Sequence, residues 1–402
     1  MIHFRVGLNA PNPNGYFDIV IGNPPYLDSE HMVIFDLDKR ELYSSIYESA
    51  VGNWDLFIPF VEKGIKLVKQ YGITSFIIPN KIISQDYAKK IREIIMDKHI
   101  LEIRDYSRQD VFPIADVYPI TILLKNDDVK KFVINMTTMQ SMIQIEKTNI
   151  VSNDIMRKYQ WDIFFCSPSL SAILIKMASN ECCFSDLVCF SSPCTVNEAY
   201  IIKEILQNSN ILTNDKKLIN SGTIDKYLSK WGIKNTSYIK EQYLHPIVSN
   251  NSLLKMSKSR YEQSLMQKII VANMTTDLEA FIDTNGEYLA GKSTVIGIGD
   301  YQQLLYLTGL LNSKLISIWY KSVYNSTKMK GGALSVTYDR LNDIPIPIDN
   351  SFQQSIITIV NKILSMKQEN PHANIIKLEK EIDKQVYGLY GLTKEEIEII
   401  DG

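Results

Sequence analysis

The sequence has no long hydrophobic run, few cysteines and no excess of charge. No apolar run approaches the ~18 to 20 uninterrupted residues that span a bilayer, and the first ten residues lack the pattern of a signal peptide. The 43 Lys and Arg residues against 45 Asp and Glu residues give a net charge of −2, which by itself indicates neither a nucleic-acid nor a membrane partner. We expect a cytoplasmic protein without a membrane partner, so any binding of nucleic acid has to be argued from local chemistry.

The composition is that of an ordinary globular protein. With 45% hydrophobic and 22% charged residues, it excludes a collagen, a disordered chain and a disulfide scaffold. A length of 402 residues predicts two or three domains.

The five cysteines do not form a metal-binding pattern. They lie within about thirty residues, without a nearby histidine and without the CxxC pairs of a zinc ribbon. We expect no metal site but reduced, partly buried thiols at Cys166, Cys182, Cys183, Cys189 and Cys194.

Residues 15 to 126 alternate short apolar runs with amphipathic stretches. This pattern predicts an α/β domain with a parallel sheet. Helices are expected at Asp55 to Gln70, where apolar residues recur at helical spacing, and at Gln85 to Asp97. The β-branched runs predict strands at Phe17 to Gly22, Ile73 to Pro79, Ile100 to Tyr106 and Val117 to Lys125.

The pattern changes around residues 127 to 150, where the chain becomes polar and weakly periodic. We place a domain boundary there. Residues 160 to 345 have mixed α and β signals with many turns, and the two prolines of Leu341 to Ile348 close that region because they exclude a helix or a central strand. From Phe352 onward the spacing of Ile356, Ile359, Val360 and Ile363 predicts helix.

Asn23-Pro24-Pro25-Tyr26 follows the first predicted strand directly. Loops at the carboxyl ends of parallel strands are where α/β sheets bind ligands. Each proline fixes its own φ and keeps the preceding residue extended, so the Asn23 amide oxygen and the Pro24 carbonyl can point the same way. Two such acceptors suit one aromatic amino group, whose nitrogen lone pair would then be free to attack an electrophile, while Tyr26 can stack on the ring. The alternative is a rigid turn that ends a strand, with Tyr26 as a half-buried cap.

On this motif the sequence resembles the TaqI-like adenine-specific DNA methyltransferases of restriction-modification systems. The resemblance implies that Asn23 and Pro24 bind the amino group of a flipped-out adenine and that Pro25 lies near the cofactor S-adenosylmethionine. It also implies that an aromatic residue of the following helix contacts the cofactor's adenine. Phe60 is the matching position, with Phe57 as a competitor and core packing as the alternative for both.

Two further segments resemble motifs of the same family. ITSFIIPNKIIS, from Ile73 to Ser84, resembles the sixth motif, and Asp110 to Pro113 resembles the eighth, whose Phe stacks on the target base. The resemblance therefore pairs Phe112 with Tyr26 in an aromatic sandwich around the base.

The middle of the chain resembles the target-recognition domain of this family. The matching strings are Gly222 to Trp231, Lys268 to Val271, Leu310 to Leu315 and the closing IPIP. Independently of the resemblance, residues 214 to 271 hold ten Lys or Arg and four Asp or Glu, a local charge of +6 among several aromatics. A DNA-facing surface needs such a mixture, although a solvated charged face is the alternative. The candidate DNA-binding residues are Lys226, Lys230, Trp231, Lys255, Lys258 and Arg260, with Lys328 and Lys330 in a basic loop from Asn325 to Gly332.

The family's glycine-rich cofactor loop and its acidic ribose-binding residue are not recognised in the sequence. Only 22 residues precede the motif, and Gly297 to Asp300 lacks the third glycine and coincides with a turn of the recognition region. We expect a truncated or split chain that lacks the cofactor-binding half and is either inactive alone or completed by a second polypeptide. We also expect the free edge of the first strand to be prone to pairing. No nuclease motif is recognised.

The resulting prediction is a partial Rossmann-like methyltransferase sheet (1–135), an α+β target-recognition domain (150–348) and a C-terminal helical region (349–402). The predicted activity is transfer of a methyl group from S-adenosylmethionine to adenine in double-stranded DNA. One alternative is a DNA-specificity module without catalysis. Another is methylation of glutamine in a protein, against which the basic and aromatic region argues.

Overall fold

The computed structural model describes residues 17–107, 109, 111–112, 117–209, 215–325 and 333–402. The chain divides into two compact units after Ser171. Within the described residues, no helix is both long and apolar enough to cross a membrane.

The first unit is built on one six-stranded sheet. Its sheet order is β1-β2-β4-β3-β5-β6, in which the elements are β1 (Phe17–Gly22), α1 (Ser29–Phe35), α2 (Leu37–Ile46), α3 (Phe57–Leu67), β2 (Val68–Pro79), α4 (Lys81–Ser84), α5 (Lys89–Met96), β3 (His99–Asp105), β4 (Pro119–Lys125), β5 (Val133–Met139), β6 (Ile145–Ser152) and α6 (Asn153–Lys158).

The predicted strands of this unit are confirmed, but the sheet is mixed and not parallel. β1 and β2 are parallel, as are β3 and β5. β4 runs antiparallel to both of its neighbours, β2 and β3. The expectation of a parallel sheet was therefore wrong for β4, since the apolar pattern of a strand does not encode the direction in which it pairs.

Two glycines bring β1, α3 and β2 close together around one aromatic ring. A Cβ atom on Gly64 of α3 would lie 2.3 Å from the Phe76 ring of β2, and one on Gly22 would lie 2.5 Å from the same ring. Phe76 therefore fills the space that the two missing side chains leave, and it is 5% exposed. This packing fixes the end of β1, from which the NPPY loop leaves the sheet.

The sheet continues beyond the boundary that the sequence indicated. The polar stretch after residue 127 contains β5 and β6, which pair antiparallel with each other. Exposed and buried positions alternate at the start of β5, since Ile134 and Met136 are fully buried while Val133 and Asn135 are exposed. A strand with one solvated face gives a weak apolar signal, which is why the sequence indicated a domain boundary there.

The second unit combines several small sheets with long helices. Two four-stranded sheets have the orders β18-β9-β14-β8 and β17-β15-β19-β7, and the elements are α7 (Pro168–Ala178), which crosses the division, β7 (Phe190–Ser191), α8 (Val196–Ile205), β8 (Gln207–Asn208), β9 (Lys216–Ile219), β10 (Ile224–Asp225), β11 (Leu228–Ser229), β12 (Thr236–Tyr238), β13 (Glu241–Tyr243), β14 (Pro246–Val248), α9 (Asn250–Leu253), α10 (Lys258–Leu265), β15 (Lys268–Ala272), β16 (Met274–Thr275), β17 (Ala280–Asp283), β18 (Tyr288–Ala290), β19 (Thr294–Gly297), α11 (Tyr301–Leu311), α12 (Lys314–Val323), β20 (Leu334–Ser335), α13 (Tyr338–Asn342), α14 (Asn350–Glu369), α15 (Ile376–Leu389) and α16 (Lys394–Asp401).

The C-terminal helices pack into this second unit. The predicted stripe on α14 is buried, with Ile356, Val360 and Ile363 at 0% exposure. A Cβ on Gly309 of α11 would meet the Ile356 side chain at 2.5 Å, so the two helices approach closely at that point. The helical region from residue 349 therefore shares its core with the elements that precede it.

A buried ion pair joins β15 to the end of β17. Lys268 and Asp283 are 1% and 2% exposed, and their charged atoms lie 2.7 Å apart. Lys268 also donates to the carbonyl of Met266, while Asp283 accepts from the backbone N–H groups of Glu287 and Tyr288. Every charge of the pair is thus hydrogen-bonded, which a buried pair requires.

We predict that Lys268→Met lowers the free energy of unfolding by about 3–5 kcal/mol, because it leaves the Asp283 carboxylate buried without its partner. Lys258→Met is the control, since that lysine is 89% exposed and 3.8 Å from Glu262, and its removal should cost about 0–1 kcal/mol. Urea unfolding of the two purified variants measures the difference. Equal unfolding midpoints for the two variants would show that the buried pair stabilises the fold no more than the exposed pair does.

Candidate active site

The NPPY loop begins where β1 ends, at the carboxyl end of a strand that is parallel to β2. Asn23 is exposed, and its carboxamide has no hydrogen-bond partner among the described residues. Pro24 is buried and Pro25 is exposed. The Asn23 amide group is therefore open to a ligand and not folded into the interior.

Tyr26 anchors the loop to the neighbouring strand. Its hydroxyl donates a hydrogen bond of 3.1 Å to the carbonyl of Ile77 in β2. Burial raises the pKa of Tyr26 to about 12, so the hydroxyl remains a donor at neutral pH. The ring is half-buried, and its position is set by this bond.

Phe112 lies against Tyr26, but the two rings do not form an open sandwich. Their centroids are 5.8 Å apart with an interplanar angle of 72°, an edge-to-face contact. A base that stacked on Tyr26 would have to displace Phe112 from this contact. The partner of Tyr26 is thus the residue expected from the sequence, in a closed arrangement.

An apolar cavity of about 180 Å³ opens beside the loop. Its walls come from β1, the loop, α2, α3 and β2, and the lining residues are Val20, Gly22, Asn23, Pro24, Tyr43, Tyr47, Pro59, Phe60, Lys63, Gly64, Leu67 and Phe76. Among them Lys63 is the only charged side chain. The cavity suits a flat apolar or aromatic group that enters next to Pro24.

The structure separates the two aromatic candidates of α3. Phe57 is fully buried in the core, whereas Phe60 is half-buried and lines the cavity. Of the two prolines, Pro24 lines the cavity, while Pro25, which the resemblance placed near the cofactor, is not among its walls.

Tyr43 and Tyr47 of the α2 segment form a cavity wall that the sequence reasoning missed. Their ring centroids are 6.2 Å apart; Tyr43 lies in the last turn of α2, and Tyr47 is the residue that ends the helix. Burial raises the pKa of Tyr47, in agreement with its half-buried ring. The sequence feature that could have identified this wall is the pair of tyrosines, four residues apart, shortly after the motif.

Buried charges hold this wall in place. Arg40 of α2 donates to the carbonyls of Gly52 and Trp54 and lies 4.4 Å from the Trp54 ring. Glu62 of α3 is fully buried and accepts from the backbone and the hydroxyl of Ser49. The segment that carries the two tyrosines is therefore tied to the start and the middle of α3.

Most basic residues of the 214–271 region make contacts within the second unit. Lys226 donates to the carbonyl of Asn312 at 2.8 Å, and Lys230 pairs with Asp225. Six of the ten are buried or half-buried and engaged with partners in this way: Lys216, Lys217, Lys226, Lys230, Arg260 and Lys268. The exposed ones are Lys234, Lys240, Lys255 and Lys258. The count of +6 thus overstates the charge that faces solvent.

Of the candidate DNA-binding residues, Lys255 and Lys258 are the exposed ones. Trp231 is half-buried. Its indole N–H donates to the carbonyl of Pro246, and its ring contacts His245. Lys328 and Lys330 lie outside the described residues. The Gly297 to Asp300 string is the end of β19 followed by the residue that caps α11, as expected of a turn in the recognition region.

Arg260, also a candidate, is 9% exposed and pairs with Glu198 of α8 at 3.2 Å. Burial on its own would raise the pKa of Glu198. Hydrogen bonds from the Thr195 backbone, the Ser257 hydroxyl and Arg260 outweigh that effect and lower the pKa to about 2. This pair is an internal link between α8 and α10.

Two family models match parts of this chain. The model of the Eco57I restriction-modification methylase matches residues 2–112, and that of the TaqI-like C-terminal specificity domain matches residues 224–346. The NPPY loop and α3 lie in the first match, and β10 to β20 lie in the second.

Individual relatives are similar over different parts of the chain. The type II restriction enzyme and methyltransferase RM.Eco57I of Escherichia coli is 29% identical over 30% of this chain and 12% of its own length. The type II methyltransferase M.BstVI of Geobacillus stearothermophilus is 22% identical over 96% of this chain and 75% of its own length. The structure of the Type IIL restriction-modification enzyme MmeI in complex with DNA aligns with 95% of this chain and 56% of that chain, with a TM-score of 0.57 and 12% identity. This chain therefore shares its fold with about half of the MmeI chain.

The Glu198 network predicts a pH-dependent contribution to stability. Since folding lowers the pKa from 4.5 to about 2, the contribution is complete above pH 4.5 and is lost as the pH falls toward 2. We expect Glu198→Gln to cost about 1–2 kcal/mol near pH 7, after solvent screening is allowed for, and to cost little near pH 2.

The measurement is urea unfolding of the wild type and of Glu198→Gln between pH 2.5 and 7. Glu262→Gln serves as the control because Glu262 is 51% exposed and 3.8 Å from Lys258. A wild-type advantage that stayed constant across this pH range would show that the charge of Glu198 does not contribute.

Proposed function

Because the chain belongs to the TaqI-like restriction-modification methyltransferases, we propose that it methylates the exocyclic amino group of adenine in double-stranded DNA. The observation that carries the proposal is the exposed Asn23 carboxamide, without a partner among the described residues, at the end of β1 and beside an apolar cavity.

Asn23 and Pro24 would act on the amine through their oxygen atoms. The Asn23 amide oxygen and the Pro24 carbonyl accept the two amino hydrogens, so the nitrogen can become pyramidal and its lone pair is no longer delocalised into the ring. Fixed acceptors provide this polarisation without reorganisation in the transition state. Tyr26 offers a ring face to the flipped base, with Phe112 displaced from its present contact.

The cavity fits one end of S-adenosylmethionine. Its apolar lining with Phe60, Tyr43 and Tyr47 suits the adenine ring of the cofactor. When bound, the cofactor supplies an electrophilic methyl group on a sulfonium sulfur. Among the described residues, the lining holds no carboxylate that could bind the ribose hydroxyls, so these residues account for the aromatic end alone.

We propose that a second polypeptide supplies the remaining cofactor contacts and pairs with β1. Among the described residues, β1 pairs with β2 on one side and with no strand on the other. Ile19 and Ile21 of β1 are 60% and 72% exposed. An unpaired, apolar strand edge is a surface on which another strand can add.

The exposed lysines of the second unit would bind DNA phosphates. Lys234, Lys240, Lys255 and Lys258 are exposed, and phosphate contacts position a protein on DNA without reading its sequence. A specificity module without catalysis would use the same lysines, so it differs from the proposal only in the role of Asn23.

We predict that Asn23→Ala lowers the methylation rate about 100-fold or more, because one of two fixed acceptors is lost, while the affinity for DNA changes less than about twofold. The assay is methyl transfer to adenine in DNA by the complete enzyme, together with DNA binding at two salt concentrations. Asn53→Ala is the control, an exposed asparagine outside the motif. A parallel loss of binding would make the loop structural, and full activity would remove the proposed role of Asn23.

We predict that Ile21→Lys weakens binding of a glycine-loop-bearing cofactor-binding segment from a full-length relative about tenfold or more, since a charge would be buried at the strand edge. Val51→Lys is the control, because Val51 is 59% exposed but lies outside β1. Titration by fluorescence anisotropy measures the two dissociation constants. If Ile21→Lys and Val51→Lys bind equally well, the segment docks elsewhere.

A further inference from the structure

Asp55 joins three separate segments next to the NPPY loop. It lies just before α3 and is 7% exposed. Its Oδ1 accepts the backbone N–H of Ser29 at 3.2 Å, and Ser29 begins α1 three residues after Tyr26. Its Oδ2 accepts the hydroxyl of Tyr87 at 2.7 Å and the Nζ of Lys81 at 3.4 Å.

These contacts matter because the loop itself offers few backbone donors. Pro24 and Pro25 have no N–H group, and the Asn23 side chain is open. Beyond the Tyr26 hydroxyl, the loop is held where it leaves the motif. There the Leu27 carbonyl accepts the N–H of Leu56 at 2.9 Å, next to the Ser29–Asp55 bond.

The partners of Asp55 fix the carboxylate rather than activate it. Burial and, to a lesser extent, the neighbouring charge of Asp55 raise the pKa of Tyr87 far above its usual value of 10. Tyr87 therefore remains a donor to Asp55. Three donors occupy the two oxygens, which leaves Asp55 satisfied although it is buried.

Asp55 also sets the distance between the two sides of the site. The residues that follow Asp55 form α3, which carries Phe60 into the cavity. Ser29, whose backbone N–H Asp55 accepts, lies three residues after Tyr26. A shift of Asp55 would therefore move the loop against the cavity wall. Misplacement by about 1 Å can cost about 100-fold in rate.

We propose that Asp55 is a positioning residue that holds the NPPY loop in place for methyl transfer. This inference rests on the proposed function. It assigns to Asp55 no contact with the base or the cofactor, only the control of where Asn23 and Pro24 stand.

The first experiment measures hydrogen exchange in the purified chain and needs no activity. Asp55→Ala should increase the exchange rate of the Ser29 amide about tenfold or more, whereas Asp55→Asn keeps an oxygen acceptor and should retain most of the protection. Asp28→Ala is the control, because Asp28 accepts the His31 N–H in the same loop and its loss should expose His31 but not Ser29. A Ser29 amide that stays protected in Asp55→Ala overturns the proposal.

The second experiment measures kcat and KM for DNA with the complete, methylation-competent enzyme. Asp55→Ala should lower kcat about 10- to 100-fold with KM for DNA within about twofold, and Asp55→Asn should restore most of the loss. Asp28→Ala should keep the wild-type kcat. A wild-type kcat for Asp55→Ala, or a failure of Asp55→Asn to improve on it, overturns the proposal.

Asn23→Ala measured beside these variants separates the two claims. If Asn23→Ala is inactive while Asp55→Ala is fully active, the proposed function stands and the positioning role fails. If Asn23→Ala is fully active, the proposed function fails, and the hydrogen-exchange result still decides whether Asp55 holds the loop.

Discussion

The geometry of the candidate site depends on a loop whose two consecutive prolines cannot donate backbone hydrogen bonds. Such a loop is stiff in itself, but its position relative to the sheet has to come from contacts on either side. On the side of the strand, Gly22 and Gly64 admit the Phe76 ring between β1 and α3. On the other side, the Tyr26 hydroxyl binds β2, and the next residues bind the start of α3. The open Asn23 amide is the result of a loop that is fixed on both sides of the motif.

The second unit shows why a count of charges is a poor guide to a DNA surface. Arg260 and Lys268 are long side chains that the structure buries with carboxylates, and Lys226 ends on a backbone carbonyl. A desolvated charge is costly unless it is paired, so these residues serve the fold. Exposed lysines such as Lys255 and Lys258 remain available to phosphates, because counterion release requires a charge that reaches the solvent.

Local patterns predicted the elements around the site well, and the contacts between them poorly. The strand Phe17–Gly22 has the bounds that the apolar spacing indicates. The antiparallel β4 and the two strands after residue 127 were not foreseen, because pairing direction and a half-solvated strand leave little trace in one sequence. Asp55 shows the same limit at the site, since its three donors come from positions 29, 81 and 87, whose proximity only the fold creates.

The edge of β1 that pairs with no strand among the described residues limits how a covering segment can be held. If Ile19 and Ile21 became fully buried, the gain would be about 2–4 kcal/mol, given that each is roughly two-thirds exposed. Association of separate polypeptides costs about 4–15 kcal/mol in lost freedom of motion, so these two side chains are not sufficient for a stable complex. A second polypeptide therefore has to contact more of the first unit, and Ile34 and Phe35 of α1, at 69% and 70% exposure, are apolar side chains that such contacts could bury. A covering segment that was covalently continuous would avoid most of the association cost, and the strand edge would then be sufficient to set its register.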